Sequence, residues 1–583
     1  MRDMMFSVLF RYSFRFLILP FYDTVQKKNR NLRVALAQLN LCVGDLAGNV
    51  RQSIAAIQQA KEEQADVILF PELTLSSYPP EDMVFRRDFL AQVTEGLCEI
   101  RMASEGITVV VGYPVLMEGA LRNAACAYRD GVMVGRYFKR ELPNYTVYDE
   151  KRWFTAGAAD QSLIVDIEGV RCGILVCEDI WHDAPIAHTV EQGAEAVLVL
   201  NASPYRYDKH ARREQIVTAK ARHHQCPIAY TNMVGGQDEL VFDGDSMLVN
   251  REGVRTLAAP LFESGLFVGD MQVDTTDFEA EQVAIAASKK VIAARDVNIN
   301  EHIYQAIVTG LRDYVHKNRF KGILLGLSGG IDSALTLAVA VDALGAENVE
   351  AVMMPFHYTA EMSVEDAAEQ AKMLGVTYRN IPIEPMYDSF KAGLADTFAG
   401  FDDDVTEENL QARIRGMLLM SMSNKFGKLL LSTSNKSESA VGYATLYGDM
   451  AGAFSPLKDV YKTLVYTLSE YRNTVSPAIP QRVIDRPPSA ELAPGQLDQD
   501  SLPDYDVLDA ILMRIMEHNE SLEAIVKSGY DAAVVKRVVN LLLLSEYKRR
   551  QAAPGVRITR RAFGKDWRYP ITSAWRHQLP ITL

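Results

Sequence analysis

Short apolar runs alternate with helical stretches along the first half of the chain, and this alternation limits the possible folds. The spacing of apolar residues is helical at residues 50–61 and across residues 208–224. Strands that alternate with helices predict an α/β fold whose sheets are covered by helices. This alternation of strands and helices does not distinguish a barrel from a layered sandwich. The strand-like runs occupy residues 32–38, 67–70, 107–112, 125–128, 171–176, 196–200 and 228–232.

The chain has 583 residues, which is too long for one hydrophobic core. Residues 273–300 are rich in Asp, Glu and Ala and lack a strand pattern. Helical spacing resumes at Ile303, Ile307 and Leu311. We therefore predict an extension of unknown role at 1–30, a first domain at 31–275, a linker at 276–300 and a second domain at 301–583.

Composition and charge argue against a nucleic-acid partner, a zinc site and a membrane span. The apolar fraction of 48% is ordinary for a globular protein, and the net charge of −14 argues against a nucleic-acid partner. The six cysteines show no CxxC pair, which disfavours a zinc site and favours a cytoplasmic location. The aromatic stretch at residues 1–22 has no apolar run long enough to span a membrane. We interpret this stretch as a weakly ordered extension, and a targeting peptide is the weaker alternative.

Three residues of the first half, Glu72, Lys139 and Cys177, each follow a strand-like run. Side chains at strand ends project into clefts. A lysine ammonium favours a thiolate and stabilises an oxyanion, and a carboxylate can move the thiol proton to departing ammonia. The three residue types therefore indicate hydrolysis of an amide. Taken singly, each has a plain structural alternative: a core cysteine, a glutamate at a helix start and a solvated lysine.

The sequences around these residues resemble four motifs of the nitrilase superfamily. They are FPELTLSSYPPED at 70–82, KRELPNY at 139–145, CEDIW at 177–181 and NASPY at 201–205. The resemblance covers residues 32–272. It implies a four-layer αββα fold in which Glu72, Lys139 and Cys177 form the catalytic set.

Within this superfamily the glutaminase branch is the most similar. That resemblance implies that Tyr145, Ser203 and Lys209 hold the head group of glutamine. An amino-acid substrate requires a donor for its carboxylate and an acceptor for its ammonium group. Glu178, next to the nucleophile, is the predicted ammonium partner. Glu150 is predicted to support Lys139, with a surface carboxylate as the alternative.

A glycine-rich turn, SGGIDS at 328–333, follows the apolar run 322–327 in the second half. Backbone N–H groups at such a turn, together with the N-terminus of the helix at 334–344, form a site for phosphate. No Gly-Lys-Ser/Thr follows, so the turn is not a Walker A loop. It resembles the pyrophosphate loop of the N-type ATP pyrophosphatases. This resemblance implies a doubly wound, parallel-sheet (Rossmann-like) domain that cleaves ATP between the α and β phosphates.

Further segments of the second half resemble the NAD synthetases. They are NLQARIR at 409–415, LSTSNKSE at 431–438, PLKDVYKT at 456–463, RPPSAEL at 486–492 and RAFGKDWR at 561–568. Together with the first half, the chain resembles the bacterial glutamine-dependent form over residues 32 to 572. One departure is Ser434, where that family has Gly. The resemblance implies a ligase that converts deamido-NAD, ATP and glutamine into NAD, AMP, pyrophosphate and glutamate.

The same resemblance implies the binding residues of the second half. Asn409, Glu438 and Lys565 would contact deamido-NAD. Asp332 and Glu438 are the predicted Mg²⁺ ligands, because departing pyrophosphate requires a divalent counter-ion. The implied ATP contacts are Gly326, Leu327, Ser328, Gly329, Gly330, Ile331, Asp332, Ser333 and Thr433.

Two wider expectations follow from the resemblance. The loop at 486–504 is expected to close over the site and exclude water, with an ordinary exposed loop as the alternative. A homo-oligomer is expected, since ammonia must pass between the sites without escaping.

Three alternatives remain open from the sequence. One is another ATP-pyrophosphatase amidotransferase, such as one making GMP or asparagine, but the glutaminase halves of those enzymes lack the Glu–Lys–Cys motifs. A sulfur- or tRNA-handling relative would be expected to have a basic surface or further cysteines. A non-catalytic nitrilase-like scaffold is disfavoured by intact Glu72, Lys139 and Cys177.

Overall fold

The computed structural model describes residues 30–274, 298–493 and 495–579. The predicted extension before Arg30 and residues 275–297 of the predicted linker lie outside these ranges. Within the described ranges, no helix combines the length and the apolar character that a membrane crossing requires.

Residues 30–274 form strands, α-helices and two short 3₁₀ helices. The strands are β1 (Asn31–Gln38), β2 (Val67–Leu69), β3 (Thr108–Met117), β4 (Ala120–Arg129), β5 (Val132–Phe138), β6 (Ile164–Ile167), β7 (Val170–Val176), β8 (Ala196–Asn201), β9 (Ile228–Asn232), β10 (Val234–Gln237), β11 (Leu240–Asp243), β12 (Met247–Val249), β13 (Arg255–Ala258) and β14 (Gly265–Gln272). The helices are α1 (Leu46–Glu62), α2 (Arg87–Ala103), α3 (Glu150–Trp153), α4 (Asp183–Glu191) and α5 (Lys209–His224), with 3₁₀ helices at Glu81–Phe85 and Cys177–Trp181.

Two six-stranded sheets form the centre of this half. Their strand orders are β14-β1-β2-β3-β4-β5 and β13-β12-β9-β8-β7-β6. Successive side chains of a strand point to opposite faces. Leu32, Val34 and Leu36 of β1 accordingly pack in the core between the sheets, whereas Ala35 and Ala37 pack on the outer face with α1 and α2. Helices α4 and α5 cover the second sheet. The predicted four-layer αββα fold is confirmed.

Residues 298–579 form a four-stranded parallel sheet in the order β17-β16-β15-β18. The strands are β15 (Ile323–Gly326), β16 (Val349–Met353), β17 (Thr377–Asn380) and β18 (Leu429–Leu431). The helices are α6 (Ile299–Lys317), α7 (Ile331–Leu344), α8 (Glu361–Leu374), α9 (Glu384–Leu394), α10 (Val405–Phe426), α11 (Lys436–Val441), α12 (Lys462–Val475), α13 (Gln481–Asp485), α14 (Tyr505–Met516), α15 (Leu522–Lys527), α16 (Ala532–Leu544) and α17 (Glu546–Arg549), with 3₁₀ helices at Ala346–Asn348, Asp498–Asp500 and Trp575–Gln578.

Both faces of this parallel sheet are buried, as the helical crossovers between its strands require. Ile323 and Leu325 of β15 pack with α6, α7 and α12 on one face. Leu324 of the same strand packs with α9 and α10 on the other face. The predicted doubly wound α/β domain is confirmed.

Helix α6 fastens the second half to the first. Asp313 Oδ2 accepts hydrogen bonds from Asn40 Nδ2 and from the Gly236 N–H, both at 2.7 Å. One turn further, Lys317 Nζ donates to the carbonyl oxygens of Leu41 and Gly236 at 2.7 Å each. A Cβ on Gly236 would lie 2.9 Å from the Gly310 Cα, so glycine allows the helix to approach strand β10. The two halves therefore form one packed unit.

Candidate active sites

Glu72, Lys139 and Cys177 come together in a buried site at the ends of β2, β5 and β7. Lys139 Nζ donates to Glu72 Oε1 at 2.6 Å and to Glu150 Oε1 at 2.8 Å. All four side chains are almost completely buried. Glu150 also accepts from the Tyr78 hydroxyl at 3.0 Å, so it is an inner member of the site and not a surface carboxylate. Burial raises the pKa of Glu150 to about 7, an effect that Lys139 opposes.

Local backbone geometry explains how the site is presented. Cys177 has a positive φ of 47° directly after β7, a left-handed conformation that turns the chain sharply at the strand end. A Cβ on Gly112 of β3 would lie 2.5 Å from the Leu73 nitrogen, so glycine lets the segment that carries Glu72 pack against that strand.

The surroundings of Cys177 favour the protonated form of its thiol. Burial, followed by the charge of Glu72, raises the pKa of this thiol well above its ordinary value, and Lys139 opposes the shift. The ammonium of Lys139 therefore does not produce a resting thiolate, because burial outweighs it. A base must remove the thiol proton during attack.

Asp179 joins the lysine segment to the cysteine segment. Its Oδ1 accepts from the N–H groups of Arg140 and Glu141, at 3.1 and 2.8 Å. Its Oδ2 accepts from the Val176 N–H at 3.1 Å and the Tyr137 hydroxyl at 3.0 Å. Burial raises the pKa of Asp179 to about 6. Sequence reasoning missed this residue, although it lies in the quoted CEDIW segment.

Three of the four predicted glutamine residues, Tyr145, Glu178 and Lys209, lie near enough to Cys177 for their charges to interact. The Tyr145 hydroxyl donates to both oxygens of Glu178, at 2.9 and 3.1 Å. Lys209 Nζ donates to the Tyr148 hydroxyl at 2.8 Å and lies 5.6 Å from the centre of the Trp181 ring. Ser203 is buried after β8, and its N–H donates to Asn232 Oδ1. Tyr148 and Trp181, which sequence reasoning did not assign, are thus neighbours of the Lys209 ammonium.

A cavity of about 480 Å³ opens at the carboxyl end of the parallel sheet, beside the glycine-rich turn. Gly330 N–H donates to the Ser328 hydroxyl at 3.2 Å, which keeps the turn tight. Gly329 has φ +78° and faces helix α8, where a Cβ would lie 2.3 Å from the Ser363 carbonyl oxygen. The predicted residues that line the cavity are Gly326, Leu327, Ser328, Gly330, Ile331, Asp332, Ser333, Asn409, Thr433 and Glu438.

Acidic side chains surround Lys462 in this cavity. Lys462 Nζ pairs with Asp332 Oδ2 and lies 3.2 Å from Glu438 Oε1. Asn435 Nδ2 donates to Asp332 Oδ1 at 2.8 Å, and Asn435 Oδ1 accepts from the Glu438 N–H at 2.9 Å. Burial, and then the charge of Asp332, raises the pKa of Glu438 to about 8. Lys462 and Asn435 lie in segments that the sequence analysis quoted without assigning a role.

The loop that begins at Arg486 lies against the glycine-rich turn. Arg486 donates to the Gly329 carbonyl oxygen at 2.7 Å and to the Ser363 hydroxyl at 2.9 Å. Residues 486–492 line the cavity, and Gln411 Nε2 donates to the Leu492 carbonyl oxygen. This part of the loop is therefore not an ordinary exposed connection.

One predicted residue lies elsewhere. Lys565 is half exposed and pairs with Glu81 of the first half. The structure does not bring it together with Asn409 and Glu438. Asn409 Oδ1 accepts instead from the Thr445 hydroxyl, at 2.9 Å.

Fold and sites define the class: a carbon-nitrogen hydrolase joined to an NAD synthase. The carbon-nitrogen hydrolase family matches residues 33–278, and the NAD synthase family matches residues 303–552. A glutamine-dependent NAD(+) synthetase of Xylella fastidiosa is 49% identical over 548 residues, which cover 94% of this chain and 99% of that protein. The chain belongs to the family of glutamine-dependent NAD(+) synthetases.

Other relatives agree with this assignment. The glutamine-dependent NAD(+) synthetase of Thermotoga maritima is 42% identical over 578 residues, covering 94% of this chain and all of its own length. A solved structure of the glutamine-dependent NAD+ synthetase from Acinetobacter baumannii in complex with ADP has a TM-score of 0.74 and 43% identity. It covers 94% of this chain and 99% of its own. The Cytophaga hutchinsonii enzyme, 24% identical with a TM-score of 0.79, supports the fold alone.

Proposed function

We propose that this chain makes NAD from deamido-NAD, using ATP to activate the acceptor and glutamine to supply nitrogen. One observation carries the proposal. A buried Glu72–Lys139–Cys177 set and a phosphate turn beside a cavity of about 480 Å³ lie in two halves that pack as one unit. A scaffold without activity would not need either buried charge cluster, since burying charges is costly.

The first half would release ammonia by a thiol mechanism. Glu72 removes the Cys177 proton as sulfur attacks the glutamine amide carbon, and Lys139 stabilises the resulting oxyanion. Glu72 then returns the proton to the departing ammonia, which leaves a thioester. Water, deprotonated by Glu72, hydrolyses the thioester and releases glutamate.

Four side chains are proposed to hold glutamine in that pocket. Lys209 would bind the substrate carboxylate, and Glu178 would bind its ammonium group in place of the Tyr145 hydroxyl. Tyr145 and Ser203 would supply further hydrogen bonds. This assignment rests on the family resemblance and on the position of Tyr145, Glu178 and Lys209 near Cys177.

The second half would activate the acceptor. The nicotinate carboxylate of deamido-NAD attacks the α phosphorus of ATP and displaces pyrophosphate, and ammonia then displaces AMP from the mixed anhydride. ATP is proposed to lie on residues 326–333 and Thr433, with deamido-NAD on Asn409 and Glu438. Lys565 lies outside this cavity and pairs with Glu81, so its proposed contact with deamido-NAD rests on the family resemblance alone.

Mg²⁺ fits the donors of this cavity. No group of three or more His, Cys, Asp or Glu side chains in the described ranges is arranged to hold a metal ion alone. Mg²⁺ typically uses one or two carboxylates together with substrate phosphates, and Asp332 and Glu438 supply two. We propose that they hold Mg²⁺, which would neutralise the charge of pyrophosphate as it departs. The ammonium of Lys462 contacts both of these carboxylates.

Three wider assignments are part of the proposal. The enzyme is proposed to be an AMP-forming ligase of carbon–nitrogen bonds, acting as a homo-oligomer on small molecules. A cytoplasmic location agrees with six cysteines that are all free. The net charge of −14 agrees with the absence of a nucleic-acid partner.

The test compares two nitrogen sources. Purified protein is given deamido-NAD, ATP and Mg²⁺ with either glutamine or ammonium, and NAD is measured. Cys177→Ala is expected to abolish synthesis from glutamine and to leave synthesis from ammonium largely intact, since only the first half needs the nucleophile. Cys172→Ala, another buried cysteine of the same segment, serves as the control and should keep both activities. Equal loss of both activities in Cys177→Ala would refute the assignment, and amidation of another acceptor would favour a different amidotransferase.

A further inference from the structure

Asn123 of strand β4 contacts both the base and the lysine of the first site. Its side-chain Nδ2 donates to Glu72 Oε1 at 2.7 Å. Its backbone carbonyl oxygen accepts from the Lys139 N–H at 2.9 Å. Asn123 is 1% exposed, so no solvent competes for these bonds. Asn123 therefore bonds the Glu72 carboxylate through its side chain, while its backbone is paired with the backbone of Lys139.

The two carboxylate oxygens of Glu72 differ in their hydrogen bonding. Oε1 accepts from both Asn123 Nδ2 and Lys139 Nζ, at 2.7 and 2.6 Å. Oε2 is buried and has no hydrogen-bond partner among the residues that the structure describes. A carboxylate whose first oxygen is held by two donors cannot rotate freely, and its second oxygen remains available as the proton acceptor.

Asn123 itself is not fully satisfied. Its Oδ1 is buried without a hydrogen-bond partner in the same ranges. An unpaired buried acceptor destabilises a fold, and a residue present only for packing would avoid it. The amide is better explained by what its donor does for Glu72.

We propose that Asn123 is a positioning residue for the general base: it holds Glu72 Oε1 so that Oε2 is the oxygen that receives the thiol proton. The inference rests on the proposed glutaminase reaction and adds to it a residue that no catalytic motif contains.

The experiment uses the full-length enzyme and three variants. Asn123→Ala removes the donor, and Asn123→Ser leaves a hydroxyl too short to span the same distance. Asn49→Ala is the matched control, because Asn49 is an equally buried amide whose Nδ2 donates only to the backbone oxygens of Cys42 and Leu75. Glutaminase kcat and KM are measured across pH, and NAD synthesis from ammonium reports folding of the same chain.

In Asn123→Ala, kcat for glutamine is expected to fall about 10- to 100-fold, with KM changed by less than about threefold. The low-pH limb of the kcat/KM profile should move up by about one pH unit, because the ionised carboxylate has lost a donor. Asn123→Ser should behave like Asn123→Ala, because its hydroxyl does not reach Glu72 Oε1. Synthesis from ammonium should persist in both.

Other outcomes would overturn the inference. If Asn123→Ala resembles Asn49→Ala, with an unmoved pH profile and a loss of activity that only follows loss of folded protein, Asn123 is structural. If Asn123→Ala does not fold, the same comparison is made with Asn123→Ser, and an unmoved profile there rejects the proposal. Failure of the proposed function is separate, since it would appear as a wild-type enzyme that does not hydrolyse glutamine.

Discussion

Lys209 lies between the rings of Tyr148 and Trp181, and its ammonium donates to the Tyr148 hydroxyl. Burial, and then the positive charge of Arg213, lowers the pKa of Lys209 to about 7. The ammonium form is therefore present below about pH 7 and is lost as the pH rises through that value. A substrate carboxylate bound there would favour the charged form.

The KM for glutamine is expected to rise above about pH 7, by up to about tenfold per pH unit, because free enzyme with a neutral Lys209 binds the carboxylate poorly. Initial rates of glutamate formation between about pH 6 and 8.5 would give the KM for glutamine at each pH. Lys209→Met should show a high KM with little dependence on pH in this range. A wild-type KM that stays constant would show that Lys209 does not bind the carboxylate.

At this scale the sequence predicted three residues of the first half that the structure brings together, and it missed residues that contact the predicted segments. Glu72, Lys139 and Cys177 stand in recognisable local segments. The roles of Asn123, Asp179 and Lys462 arise from contacts that span 51, 39 and 130 positions. Such contacts exist only after the strands are arranged, and no spacing within one segment indicates them. The same limit applies to Lys565, whose partner Glu81 lies in the other half.

Helix α6 is the element on which the arrangement of the two halves depends. Asp313 on this helix is buried, and its Oδ2 accepts from the Asn40 amide and the Gly236 N–H. Removing the carboxylate leaves both donors buried and unpaired at the junction.

Asp313→Ala is expected to destabilise the protein by about 1.5–3 kcal/mol, the range for hydrogen bonds to a charged group. Thermal melting would show a lower transition temperature. Asp388→Ala, an exposed position on α9, is the control and should melt like the wild type. An unchanged melting curve for Asp313→Ala would mean that α6 is held mainly by its apolar contacts.

Elements with buried apolar runs were predictable, and half-exposed ones were not. The predicted runs 171–176 and 228–232 correspond to β7 and β9, whose residues are nearly all buried. Strand β5 was missed, because Val132, Met133 and Val134 are exposed at the edge of its sheet and follow no alternation. Strand β14 was missed because it is mostly half-exposed and pairs with β1, far away in the sequence. Because a layered sandwich and a barrel differ in such edge strands, the sequence pattern did not distinguish these two folds.

The whole molecule places two reactions in series, and the order determines how substitutions behave. ATP activation precedes capture of nitrogen from either source. A change in the first half should therefore be bypassed by ammonium, whereas a change in the second half should not.

Asp332→Ala is expected to remove NAD synthesis from both glutamine and ammonium, because it takes away a proposed Mg²⁺ ligand and one partner of buried Lys462. NAD formation with each nitrogen source is the measurement, and thermal melting checks that the protein is folded. The Cys177→Ala variant provides the opposite pattern. Wild-type synthesis from ammonium in Asp332→Ala would contradict a phosphate or metal role for this residue.

The contacts of α6 also bear on whether the two halves need to belong to one polypeptide chain. Tyr205 and Val241 of the first half share one core with Ile307 and Leu311 of that helix, and Asp313 and Lys317 add four hydrogen bonds across the same junction. None of these contacts depends on the peptide bonds between residues 274 and 298. The two halves are therefore held together by a shared apolar core and these hydrogen bonds, in addition to the chain that links them. The same enzyme could therefore be encoded by two separate genes whose products assemble after translation.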